Sequence, residues 1–134
     1  VKQLRELTIM TPNKPGKLAA VLKALAKSNL NLLAIDSSSG YDLNMVRMIP
    51  SDAKKTKAVL GRLGFPATET TVLGVTITDR PGQLAKIAST LGRAGVNIEY
   101  MYATAAQMDC EALVALHVSD LEKGERALRT AGWM

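Results

Sequence analysis

Cysteine is nearly absent from this chain: Cys110 is the only one in 134 residues. One thiol closes no internal disulfide, so a disulfide scaffold is excluded and a reducing, cytoplasmic setting is expected. Histidine is also single. His117 lies seven residues from Cys110 with no second ligand pair beside it, so no metal and no cofactor are expected. Aromatic residues make up only 4% of the chain, too few for the exposed stacking rings that RNA-binding sheets use. No apolar run approaches the ~20 residues that cross a bilayer, and no signal-peptide pattern opens the chain, so no membrane partner is expected. No base stands beside Cys110 or a serine, and no acid pair forms a dyad, so no catalytic residue is expected. The chain opens on Val1 rather than methionine, which reads as a trimmed or partly ordered version of something longer.

Charge is not scarce, but it is spread. The net charge is +5. Up to Thr71 there are eleven Lys/Arg against five Asp/Glu, and after it six against seven. Lys17, Lys23 and Lys27 recur at helical spacing, which is the pattern of a solvated helix face opposite an apolar stripe. A nucleic-acid partner is therefore not expected. The 47% hydrophobic content suits a folded domain, and the length suits one ordinary domain or two small units sharing a core.

What the sequence does have is the same turn twice. "TPNKPGKL" begins at Thr11 and "ITDRPGQL" at Ile77. At an offset of 66 residues, Leu7 falls on Leu73, Pro15-Gly16 on Pro81-Gly82, Leu18 on Leu84, Leu25 on Leu91 and Asn31 on Asn97. Further on the offset becomes 68, with Val46 on Val114, Ser51-Asp52 on Ser119-Asp120 and Leu60 on Leu128. The two extra residues fall between Tyr102 and Cys110, where a hairpin loop absorbs them. The chain is a duplication, with units over residues 1–71 and 72–134.

Each copy reads β-α-β-β-α. Leu7, Ile9 and Thr11, like Leu73, Val75 and Ile77, alternate with more polar neighbours and predict a strand with one buried face. Leu18, Val21, Leu22 and Leu25 form one helical stripe, and Leu84, Ile87, Ala88 and Leu91 form its twin. Asn29 and Gly95 are suited to the left-handed conformation that ends helices. "LNLLAID" with "NMVRMI", and "VNIEYMY" with "ALVALHV", predict two hairpins, joined through Ser38-Ser39-Gly40 and Ala105-Ala106-Gln107. The second helices open at Ser51 and Ser119, where Ser119 and Glu122 have the spacing of a capping box. Leu60 and Leu63, then Leu121, Leu128 and Ala131, supply their stripes, and Met45 and Met48 are expected as core filler. "ATETT" predicts a last strand for copy one. Copy two stops at Met134, where its own should begin, so that strand is cut, disordered or supplied by another chain.

A βαββαβ unit with Asn/Asp-x-Pro-Gly-x-Leu after strand one and Asn-hydrophobic after helix one resembles the ACT domain. The resemblance covers nearly the whole chain as two tandem copies, similar to small stand-alone tandem ACT proteins. It implies an α+β fold: two ferredoxin-like units side by side, one extended antiparallel sheet, helices on one face. It also implies a non-catalytic regulatory module that binds a free amino acid where one unit's turn faces its neighbour, in a homodimer. Carried over, the site residues are Asn13, Lys14, Pro15, Gly16, Lys17 and Leu18 in copy one. Copy two contributes Asp79, Arg80, Pro81, Gly82, Gln83 and Leu84. Asn31 and Asn97 match the family's strand-two asparagine, and Tyr100 and Tyr102 line the pocket, an interface or a packed sheet face. Asn13 against Asp79 departs from equivalence, so the two sites need not be alike.

The residues themselves agree with such a role. Glycine lets a ligand approach the backbone, and the free amides of a helix start favour an anion such as a carboxylate. Asn13 or Asp79 is placed to brace the turn through side-chain to backbone bonds. Two alternatives stand beside this reading. One is a regulatory subunit held by a catalytic partner of amino-acid biosynthesis such as acetolactate synthase; the other, a small ferredoxin-like enzyme.

Overall fold

The Pro-Gly turns are where extended chain becomes helix. In the computed structural model, which describes residues 1–104 and 107–133, β1 (Lys2–Pro12) enters the first turn and α1 (Lys17–Lys27) leaves it. A hairpin of β2 (Leu32–Ser39) and β3 (Leu43–Pro50) follows, then α2 (Ala53–Arg62). β4 (Thr68–Thr78) runs without a break from the expected last strand of copy one into the first strand of copy two. The order then repeats as α3 (Gln83–Arg93), β5 (Ile98–Ala103), β6 (Glu111–Val118) and α4 (Leu121–Thr130). Ala105 and Ala106 of the expected hairpin loop, and Met134, lie outside the described residues.

The strand order is β2-β3-β1-β4-β6-β5, antiparallel within both hairpins and in the β1–β3 and β4–β6 pairs. The chain divides into a first-copy unit, Arg5–Thr70, and a second-copy unit, Thr71–Met134 with Val1–Leu4. In the first-copy unit, Leu7 and Ile9 of β1 and Val46 and Met48 of β3 meet Val21, Leu25, Val59 and Leu60 of the two helices. In the second-copy unit, Leu73, Val75 and Ile77 of β4 and Val114, Leu116 and Val118 of β6 meet Ile87, Leu91 and Leu128. Alternate strand residues thus face helices on one side of each unit, the α+β ferredoxin-like arrangement expected from the sequence. Met48 is in the core as expected, whereas Met45 occupies the alternate position and is half-buried.

The strand position left open at the end of copy two is taken by the chain's own first residues. Lys2–Leu4 of β1 neighbour β4 there, and Val1 is in that unit's core. Gln3 donates to Glu125 Oε1 at 2.9 Å, and Arg129 Nη2 donates to the Val1 carbonyl at 2.8 Å. A Cβ on Gly74 would meet the Leu4 side chain, which explains why glycine interrupts an otherwise β-branched and leucine-rich strand.

Helix ends show two local corrections. Asp52 and Asp120, not the serines before them, cap α2 and α4, accepting from Lys55 N at 3.0 Å and Lys123 N at 3.1 Å. The serines are spent on the neighbouring strand start. Ser51 Oγ donates to the Asn31 carbonyl, and Ser119 Oγ accepts from Asn97 N. The apolar stripes are also shorter than expected. Leu63 and Ala131 fall at the C-caps and are exposed, as are Leu84 and Ala88, while Val59 and Thr56 complete the buried side of α2. Asn29 and Gly95 take positive φ, 57° and 74°, and close α1 and α3 as expected. Leu30 N returns to the Leu25 carbonyl and Val96 N to the Leu91 carbonyl.

Candidate functional site

Both Pro-Gly dipeptides are the centres of type II turns. Lys17 N donates to the Lys14 carbonyl and Gln83 N to the Arg80 carbonyl, each at 3.3 Å. Proline presets the first central residue, and the second requires positive φ: Gly16 has φ 83° and Gly82 has φ 89°. The same glycine is the N-cap of the helix that follows. It brings no side chain to the free amides, and neither α1 nor α3 has an acidic residue in its first turn.

This sets the four helices in two classes. Asp52 and Asp120 answer the first amides of α2 and α4 from within the chain. In α1 and α3 the amides of the first turn, including those of Leu18 and Leu84, lie beyond reach of any helical carbonyl and receive no side-chain cap. They follow an exposed proline and glycine, with open space within 4 Å of where a glycine Cβ would sit. Such a helix start favours a small anion on dipole and hydrogen-bonding grounds alike.

The two turns differ in their surroundings. Asn13 N donates to the Asp42 carbonyl at 2.8 Å, and Asp79 N to the Cys110 carbonyl at 2.8 Å, so each turn rests on the hairpin loop of its own copy. The Asn13 side chain reaches Ser39 Oγ at 3.5 Å rather than the backbone of its own turn. In copy two Asp109 N donates to the Asp79 carbonyl at 2.9 Å, and Arg80 Nε pairs with Asp109 Oδ1 at 2.8 Å. Among the described residues Lys14 and Lys17 have no such carboxylate partner. Leu18 is partly buried against the first-copy core, while its counterpart Leu84 is 44% exposed at the mouth of the second turn, beside the half-buried Gln83.

Asn31 and Asn97 are not brought to the turn of their own copy. Each immediately precedes the second strand of its unit, at the end where its carbonyl accepts from Ser51 N or Ser119 N, both at 2.9 Å. The turn sits at the opposite, hairpin end, and the eight residues of β2 put roughly 25 Å between them. Asn97 Nδ2 also donates to Glu99 Oε2 at 3.4 Å. Tyr100 and Tyr102 are half-buried on β5, away from the helix-facing residues of β6. The Tyr100 ring stacks on His117, with centroids 4.9 Å apart.

Sequence reasoning missed a pair of polar groups beneath the first turn. Thr11 and Asn44 face each other across β1 and β3, at the last rungs before the turn. Thr11 Oγ1 and Asn44 Oδ1 are both shut off from solvent, and neither has a hydrogen-bond partner. Leaving such a group unpaired costs about 1–3 kcal/mol. The corresponding rung of copy two pairs Ile77 with Ala112, both apolar and buried in the core. The signal was available as a polar pair at one repeat set against an apolar pair at the other. Glu6, fully buried on β1, was likewise not singled out. An open groove of about 560 Å³ runs along α3 from Gln83 in its first turn past Lys86, Ser89 and Arg93 to Trp133. Among the described residues no group of three or more His, Cys, Asp or Glu is placed to hold a metal, and no helix is long and apolar enough to cross a membrane.

Comparison with known proteins agrees with the repeat and the turns. A search of the curated proteins finds no match. Among solved structures, protein BT0572 from Bacteroides thetaiotaomicron is 34% identical, with a TM-score of 0.90 over 98% of this chain and 90% of that one. The regulatory subunit of aspartate kinase from Thermus thermophilus is 19% identical, with a TM-score of 0.72 over 98% of both chains. The corresponding subunit from Thermus flavus is 22% identical, with a TM-score of 0.63 over 97% and 95%. The family model described as an ACT domain pair matches residues 2–124, and with both turns, both copies and both helix starts in place, this chain belongs to the ACT domain pair family.

Proposed function

We propose that this chain is a non-catalytic amino-acid sensor, in which a Pro-Gly turn and the uncapped helix start after it hold the ligand carboxylate. One observation carries the reading: the first turns of α1 and α3 have no side-chain cap, so the amides of Leu18 and Leu84 are left open, while α2 and α4 each cap one amide with an aspartate. Gly16 or Gly82 gives the close approach, and Asn13, Lys14, Pro15, Lys17 and Leu18, or Asp79, Arg80, Pro81, Gln83 and Leu84, surround it. The ring and hydroxyl of Tyr100 and Tyr102 are kept for side-chain selection or an interface. Asn31 and Asn97, remote from the turn of their own copy, act only on a ligand seated on a turn of a second chain.

Assembly with a second chain fits that requirement. β2 is an edge strand, and it exposes Leu33 and Ile35 at 44% and 43%. A ligand that binds two arrangements of packed units unequally shifts their balance, which is what regulation requires. A second reading, a subunit regulating a biosynthetic enzyme, draws on the full-length fold likeness to the aspartate kinase regulatory subunits. Co-purification with a catalytic chain tests it.

The sensor reading is tested by thermal melting with each common L-amino acid at millimolar concentration. A ligand of the native state at a hundredfold excess over Kd stabilises by about 2.7 kcal/mol. The expected result is one or a few clear stabilisers sharing a side-chain type, with phosphate and nucleotides giving much less. A flat response to every amino acid from folded protein refutes the reading.

A further inference from the structure

The two turns are alike in backbone and unlike in chemistry. Beneath the first lie Thr11, 1% exposed, and Asn44, each with an oxygen that has neither solvent nor a hydrogen-bond partner. Beneath the second lie Ile77 and Ala112, which close the end of an apolar core. Above the first turn Lys14 and Lys17 have no carboxylate partner among the described residues. Above the second, Arg80 is already paired with Asp109, Asp79 adds a negative charge and Gln83 is neutral.

We propose that the first copy is the ligand-selective site of the pair, and that it takes an amino acid whose hydroxyl, amide or ammonium donates a hydrogen bond to Thr11 and Asn44. The inference rests on the sensor reading above and deepens it. Among the described residues four buried side-chain atoms lack a partner; Thr56 Oγ1 and His117 Nδ1 stand singly, whereas Thr11 Oγ1 and Asn44 Oδ1 share one rung beneath the first turn, which points to a group from outside. Asn44 Oδ1 accepts only, so the incoming group must donate; the Thr11 hydroxyl both donates and accepts, so it tolerates an amide, a hydroxyl or an ammonium. The carboxylate of the same molecule then lies at the uncapped start of α1, under the field of Lys14 and Lys17. Copy two offers the same free amides, and Lys86 in the first turn of α3, but not the donor-seeking oxygens beneath the turn. It keeps the fold of a site without its selectivity.

Both oxygens are shut off from solvent, so a ligand group reaches them only if the turn over residues 12–17 shifts. That turn is tied to the β2–β3 loop through the bond from Asn13 N to the Asp42 carbonyl, so the shift is passed to the edge hairpin. Occupancy of the first copy therefore changes the packing of an edge strand; the matching rung of the second copy, Ile77 and Ala112, has no polar side chain to trigger this.

Calorimetric titration of the parent, Thr11→Val, Thr11→Ser, Asn44→Leu and Ile77→Val with the amino acids that stabilise the parent tests this. One ligand per chain is expected for the parent. Thr11→Val and Asn44→Leu are expected to weaken binding at least tenfold without lowering the melting temperature, because each removes an unpaired polar group. Thr11→Ser and Ile77→Val are expected to bind as the parent does. Should a variant fail to fold, the side-chain amide signals of Asn44 in the parent, followed by nuclear magnetic resonance as ligand is added, read the same contact and are expected to shift. Two equal sites per chain, unchanged affinity in Thr11→Val and Asn44→Leu, or unmoved Asn44 amide signals overturn the inference and leave the sensor reading standing. A parent that binds no amino acid sinks both.

Discussion

Replacing Gly82 with alanine changes one physical variable, the cost of a positive φ. The backbone there has φ 89°, and a Cβ would meet nothing within 4 Å, so the substitution adds no clash. An L-residue held in that left-handed region costs roughly 1–2 kcal/mol. Gly92 provides the matched control. It sits in α3 with nothing within 4 Å of its Cβ and no positive φ, so alanine there gains about 0.5–1 kcal/mol of helix stability. A chain of 134 residues melts with an entropy near 280 cal/mol/K, so each kcal/mol moves the midpoint by about 3.5 °C. Gly82→Ala should therefore lower the melting temperature by about 4–7 °C, and Gly92→Ala should raise it by about 2–4 °C. The pair Gly16→Ala and Gly61→Ala repeats the comparison in copy one, where Gly16 has φ 83° and Gly61 has an ordinary φ. Differential scanning calorimetry of the four variants reads both signs. Turn and helix substitutions that move in the same direction would refute the assignment of these glycines to type II turns.

Three further outcomes are expected. Gly16→Val places a branched side chain where the ligand carboxylate approaches and should abolish amino-acid binding with the fold retained, while Gly82→Val leaves it intact; calorimetric titration tells the two apart. Asp120→Ala should cost about 1 kcal/mol, because Lys123 N loses its only cap, and Ser119→Ala should not loosen the start of α4 as measured by amide hydrogen exchange. Glu125, held below the ordinary carboxylate value first by the hydrogen bond from Gln3 and then by that from Arg129, has a depressed folded pKa. Its contribution is therefore present above the ordinary glutamate value and is lost as the pH falls through the lowered one. Glu125→Gln should flatten the acid limb of the stability profile and speed hydrogen exchange in Val1–Leu4. An unchanged acid limb would mean that Glu125 does not tie down the first strand.

Much of this protein was legible in its sequence because the information was local or periodic. A Pro-Gly pair favours a tight turn by local sterics, and the type II geometry follows once glycine takes positive φ. Asn29 and Gly95 end their helices for the same kind of reason. Val21 with Leu25, and Ile87 with Leu91, declare a buried helix face at 3.6-residue spacing, and the repeat doubles every such signal. What the sequence could not decide were competitions between neighbours. Ser119 and Asp120 are both good caps, and only the tertiary fold shows that Ser119 is consumed by the start of β5, leaving the cap to Asp120.

Long-range pairing was hidden more deeply. Nothing in Val1–Leu4 announces that it serves the second copy rather than the first, because strand partnership depends on which edge is open, a property of the assembled sheet. Asn31 and its turn are close in the repeat pattern yet lie at opposite ends of the strands, since an intervening helix returns the chain to the far edge. Thr11 and Asn44 are ordinary strand residues when read one at a time. Pairing across β1 and β3 put their two polar groups on one rung, and only the burial of Thr11 Oγ1 and Asn44 Oδ1 without a partner turned them into a candidate ligand contact. The sequence by itself determined the duplication, the turns and the helix-facing residues, because these follow from short-range sterics and periodicity. The tertiary structure decided which polar groups are satisfied and which are left waiting, because hydrogen-bond satisfaction is settled only when distant strands meet.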